Sequence, residues 1–264
     1  MRPSGSGVLN ARRAEPEDES GESLDELRLR VFAVPAALLI AALFSRSPFG
    51  HALQRLFFGM PLHELGHALT ALALGVPAFP FPWRTAMAEG RSPVLLGLLL
   101  GGAAMLVYLG RRAERRSWVV GGSALLAVVL LGQLVPERTG RMLITFMGDG
   151  GAMVLGALFA ATFFTEASSP FRQGALRWGL LVIGAAAYSD ATSTWLAARR
   201  DPAGIPLGEI EGVGLSDPSR LVETYGWSET ALVSRYLWVA GLCFVALAAL
   251  WVMGGLRPYL RQRS

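Results

Sequence analysis

The chain has 264 residues, 52% of them hydrophobic and 17% charged, with a formal net charge of +4 in which every basic residue is arginine. It is more apolar than a soluble domain of this length, and polar residues concentrate near the start and in short punctuations, the composition of a multi-pass membrane protein. The arginines lie dispersed among apolar runs and form no basic face, which argues against nucleic acid as a partner. The single cysteine, Cys243, rules out an intrachain disulfide.

In chain order, residues 1–25 read as a disordered, acidic tail of Gly, Ser, Pro, Arg, Glu and Asp. Ser23 and Glu26 have capping-box spacing and predict a helix entering the first apolar run, about Leu29 to Phe44. The next run, Gly50 to Val76, contains Pro61, which lacks an N–H and predicts a break with a fresh helix starting near it. Residues 77–92 hold three prolines and three aromatics in their first seven positions and predict an irregular or re-entrant loop at the membrane interface, a candidate wall for a substrate cleft. Four more runs have spanning length: about Pro93–Leu109, Trp118–Val135, Met142–Phe164 and Ala175–Ala198. A polar stretch, 199–229, with a helix start at Ser216-Asp217-Pro218, predicts a small cap, and a last run extends from about Leu232 to Met253. The predicted fold is all-α: residues 26–264 form one polytopic membrane helix bundle of about six to seven hydrophobic segments. The expected setting is a lipid bilayer of the bacterial inner-membrane kind. Arginines flank too many connections to orient the bundle.

The chemistry concentrates in His63-Glu64-Leu65-Gly66-His67, which uses two of only three histidines. On a helix, positions i and i+4 share a face, so His63 and His67 can address one zinc ion while Glu64 serves as base towards water. A third ligand is needed. Residues 70 and 73 are Thr and Ala, which excludes the metzincin pattern; Glu89, Glu114 and His51 are weak candidates by position. Acids inside apolar runs are better ones, because an aspartate at mid-membrane costs about 2.5–3.5 kcal/mol and so tends to have a functional partner. Asp149, in Gly148-Asp149-Gly150-Gly151, is the first choice, its glycines permitting close helix approach; Asp190, among Ser and Thr residues, is the second.

The His63-Glu64-Leu65-Gly66-His67 motif in an apolar helix, the Pro-rich loop after it and Asp149-Gly150-Gly151 in a later apolar run resemble the site-2 protease family of intramembrane zinc metallopeptidases. The resemblance covers roughly residues 50–165. It implies zinc held by His63, His67 and Asp149, Glu64 as the catalytic base, and membrane-protein or peptide substrates cleaved in or near their transmembrane segments. Two apolar runs separate the motif helices here, where that family usually has one span, and no Asn-Pro element precedes Asp149. The alternative reading is a non-enzymatic multi-pass protein, such as a metal transporter or an assembly factor, using the same histidines.

Overall fold

The computed structural model describes residues 23–166, 168–210 and 214–263. The tail expected over the first residues lies outside this set up to residue 22. The described chain is mostly helical, in accord with the all-α expectation. The helix α1 (Leu24–Phe44) begins where the capping box places it, with the Ser23 side chain accepting from the Glu26 N–H. Two short helices follow, α2 (Pro48–Gln54) and α3 (Met60–Ala73), joined by a π-helical turn over Arg55–Gly59. Pro61 falls in the first turn of α3, as its missing N–H favours. The predicted break is instead this wider turn, which absorbs the proline within one helical course. The Pro-rich stretch forms a β-hairpin, β1 (Ala78–Phe81) against β2 (Arg84–Met87), where the sequence had suggested an irregular loop.

Next come α4 (Pro93–Arg112) and α5 (Arg116–Leu134), a helical hairpin closed through glycines. A Cβ on Gly122 would crowd the Ala103 carbonyl, and one on Gly110 would crowd Trp118. Helices α6 (Glu137–Phe146) and α7 (Asp149–Ala161) meet at Met147-Gly148 with a bend of 60°, so the single run expected over Met142–Phe164 is two segments. The long α8 (Gly174–Arg200) packs along α7 through Gly156 and Gly184, each of which leaves no room for a Cβ against the other's backbone. A cap follows, with a small hairpin of β3 (Glu209–Ile210) and β4 (Gly214–Leu215) and the one-turn α9 (Asp217–Ser219). Helix α10 (Glu229–Trp251) continues through a π turn into α11 (Arg257–Arg263).

The core lies between α1, α7, α8 and α10, where Met153, Phe163, Leu181, Trp195, Leu232 and Tyr236 are buried. At one end of this core Glu26 meets Arg177 at 2.5 Å and Arg172 at 2.9 Å, while Arg30 donates to the carbonyls of Thr165 and Gly254. Large apolar side chains stand on the outside, the kind of surface that marks a membrane or protein contact: Leu134 is 78% exposed, Val94 73% and Trp238 69%. Among the described residues four helical stretches are long and apolar enough to cross a membrane, Leu24–Phe44, Pro93–Arg112, Arg116–Leu134 and Glu229–Arg263, and the bent pair α6–α7 makes a fifth if it counts as one span. That is fewer than the six to seven segments read from the sequence. Gly50–Val76 is divided into short helices, and α8, although 27 residues long, carries Ser189, Asp190, Thr192, Ser193 and Thr194 in its second half.

Candidate metal centre

His63 and His67 sit one turn apart on α3, both buried, with their Nε2 atoms 3.1 Å from each other. Their rings reach this position because α3 crosses the α6–α7 bend at glycines. A Cβ on Gly66 would overlap the Met147 carbonyl oxygen, one on Gly151 would lie 2.5 Å from the Gly66 Cα, and one on Gly148 would lie 2.5 Å from the His63 ring. The close approach foreseen for the glycines around Asp149 is therefore used, with Gly148 forming the floor beneath both imidazoles.

Each ring is fixed from behind through Nδ1. His67 Nδ1 lies 2.7 Å from the Ile144 carbonyl oxygen, and His63 Nδ1 lies 2.8 Å from Asp149 Oδ1. A carbonyl and an ionised carboxylate can only accept, so Nδ1 carries the proton in both rings. In the neutral rings the two Nε2 lone pairs then face one point. Asp217 Oδ2 faces the same point, 3.1 Å from His63 Nε2 and 2.9 Å from His67 Nε2. His63, His67 and Asp217 are the group that converges closely enough to hold a metal ion among the described residues.

Asp149 does not join that convergence. It is the first residue of α7, past the bend, and its carboxylate is occupied on the far side of His63: Oδ1 also accepts from Arg55 at 3.0 Å, and Oδ2 accepts from the Trp195 indole at 2.9 Å. Asp190, the second choice, lies further out, paired with Arg55 at 3.4 Å and with His51 at 3.3 Å. His51 is thereby placed with Asp190 and Thr194, away from the other two histidines. Glu89 lines a separate small pocket, and Glu114 lies in the turn between α4 and α5 with a left-handed φ of 53°. The residue that sequence reading missed as a donor is Asp217. Its Ser-Asp-Pro context signals a helix start, and it is one, Ser216 accepting from the Ser219 N–H.

The three donors open onto a cavity of about 640 Å³. Glu64 lines it beside them, and its walls come from the β1–β2 hairpin (Trp83, Arg84, Thr85) and the cap (Leu207, Glu209, Leu215). Compared with known proteins, the chain matches no family model, no curated protein and no solved structure. Chemistry is therefore read from this geometry. Three electron-pair donors about 3 Å apart repel one another unless a positive charge sits among them. Their spacing of 2.9–3.1 Å is close to the roughly 3.4 Å edge of a tetrahedron whose bonds are about 2.1 Å, the range for zinc with imidazole and carboxylate ligands.

Proposed function

We propose that this chain is a membrane-embedded zinc metallopeptidase that hydrolyses peptide bonds in or near transmembrane segments of membrane-protein substrates, with His63, His67 and Asp217 as the metal ligands and Glu64 as the base. The observation that carries the reading is the convergence of two Nε2 atoms and one carboxylate oxygen beside Glu64 in a walled cavity. The histidine–carboxylate and histidine–carbonyl bonds behind the rings belong to the outer support that metal-binding imidazoles normally have. In this reading the apolar outer helices form a multi-pass bundle in the bilayer, α8 included, and the cavity admits water from the cap side.

Zinc, when bound, supplies Lewis acidity towards a peptide carbonyl and towards water. His63, His67 and Asp217 hold it, and Asp149 keeps His63 in the tautomer that binds. Glu64 takes the proton of the attacking water and returns it to the leaving amine. The hairpin and cap walls hold an extended stretch of substrate, since a helical one hides its carbonyls. The metal-transporter alternative gains little support: the two intramembrane acids, Asp149 and Asp190, are bridged by Arg55 instead of standing open to an ion.

The test is zinc content and cleavage together. Detergent-solubilised wild type should hold about one zinc per chain and cleave members of a quenched fluorogenic library of transmembrane-helix peptides. Glu64→Gln should keep the zinc and lose cleavage by about three orders of magnitude or more. Cleavage surviving in Glu64→Gln would remove Glu64 from the mechanism.

A further inference from the structure

The peptidase reading leaves one polar contact of the cavity without a role. Thr85 follows Glu64 by 21 residues, and its hydroxyl lies 2.7 Å from Glu64 Oε2 and 2.9 Å from the Glu64 backbone oxygen. A hydroxyl has one proton to give, and the ionised carboxylate is the stronger acceptor. The β1–β2 hairpin brings Thr85 there. Its base is closed by the Ala88 N–H to the Pro77 carbonyl at 2.9 Å and the Ser92 N–H to the Gly75 carbonyl at 2.8 Å. Thr85 is the one residue of β2 that is not exposed, while Phe79 and Phe81, edge to face at 5.0 Å, project outward. The hairpin therefore presents an aromatic outer face and sets a single hydroxyl on the glutamate of the motif.

We infer that Thr85 is a positioning residue for Glu64, so that the orientation of the base depends on the hairpin being seated on α3. This rests on the peptidase reading and deepens it. Donation to Oε2 restrains the carboxylate and leaves its other oxygen for the proton. As the C–O bond to the attacking water forms, a water O–H bond breaks and that proton goes to the other Glu64 oxygen. It passes to the amine nitrogen as the C–N bond breaks. Thr85 keeps its own proton throughout. A substrate that displaces the hairpin loosens the base, and one that presses it home aligns the base.

The experiment uses the full chain, zinc-loaded in detergent, with the quenched transmembrane-helix peptides as probe. Thr85→Val, nearly isosteric but without the hydroxyl, should keep its zinc and lose about 10- to 100-fold in kcat, the loss of one hydrogen bond to a charged group. KM should change by less than about threefold, because the lost bond is not to substrate. Thr85→Ser should recover most of kcat. Amide hydrogen exchange over residues 78–87 should rise in Thr85→Val and return towards wild type in Thr85→Ser. Wild-type kcat in Thr85→Val, a loss confined to KM, or unchanged exchange in the hairpin overturns the inference while the peptidase reading stands. A zinc-loaded wild type that cleaves none of the peptides overturns that reading, and the inference with it.

Discussion

His63 stands between two carboxylates, Asp149 at Nδ1 and Asp217 at Nε2, and the nitrogen each one meets decides what it can do. On the Nε2 side a carboxylate shares the point that His67 also addresses. On the Nδ1 side it can only hold the ring and its tautomer. Asp217→Ala should therefore abolish stoichiometric zinc. Asp149→Asn should retain zinc at an affinity about 10- to 100-fold weaker, as for an outer-shell change, since an amide can offer N–H to Nδ1 and favour the tautomer with Nε2 protonated. Zinc per chain after dialysis, with a competitive chelator titration, separates the two. The reverse order of effects would return Asp149 to the metal. His63, Glu64 and His67 were legible because one helical turn carries all three. Asp149 was legible as a buried acid among glycines, but sequence does not say which imidazole nitrogen an acid will meet. Asp217 was not legible: it comes from 150 residues further on, and its local pattern is fully explained as a helix start. Thr85 gave no signal at all.

Among the elements, the crossing of α3 over the α6–α7 bend fixes the site, and the crossing exists because Gly66 and Gly151 touch. A methyl group on Gly66 would meet the Met147 carbonyl oxygen and the Gly151 Cα, which are backbone atoms and cannot swing aside. Gly66→Ala must push the helices apart and carry both histidines with α3. We expect it to lower stability by about 2 kcal/mol or more and to weaken zinc retention. Gly179→Ala on α8, where a Cβ meets nothing within 4 Å, should be neutral or stabilising by up to about 1 kcal/mol. Thermal unfolding of both in the same detergent reads the difference, and equal melting temperatures would mean that the crossing is not tight. The helices were legible as apolar runs with caps. The β1–β2 hairpin was not, because three prolines in seven positions argue against regular structure, and the pairing depends on a partner strand that composition does not reveal. The bend at Met147-Gly148 was equally hidden inside one continuous apolar run.

For the whole molecule, the contacts arrange the ends of the helices into two faces, which the arginines alone could not do. On one face the start of α1 meets the start of α8 through Glu26 and Arg177, and it meets the end of the α10–α11 course through Arg30 and the Gly254 carbonyl. On the other, the cap joins α8 to α10, and Arg138 between α5 and the bend donates to the Thr224 carbonyl of the cap. The Glu89 backbone carbonyl, just before α4, accepts from Arg141 there. The stretch Glu229–Arg263 has 35 residues and is about 50 Å long at about 1.5 Å per residue, well beyond a hydrocarbon core of about 30 Å, so in the proposed bundle its two ends lie on opposite sides of the bilayer. Crossings by α1, α4, α5, α6–α7, α8 and α10 then return the chain to the face it started from, provided that α2–α3 enters and leaves on the cap face. That even count requires α8 to cross despite its polar second half, and it puts the Arg111–Arg116 turn on the Glu26 face. In a Cys243→Ser background, single cysteines at Arg112 and Arg263 should react with a membrane-impermeant maleimide from one side of sealed vesicles, and one at Gly208 from the other. Labelling of Arg112→Cys from the same side as Gly208→Cys would mean that α4 and α5 do not cross. Four crossings would then remain, still an even number, so the chain would return to its starting face with the α4–α5 hairpin held on the cap side.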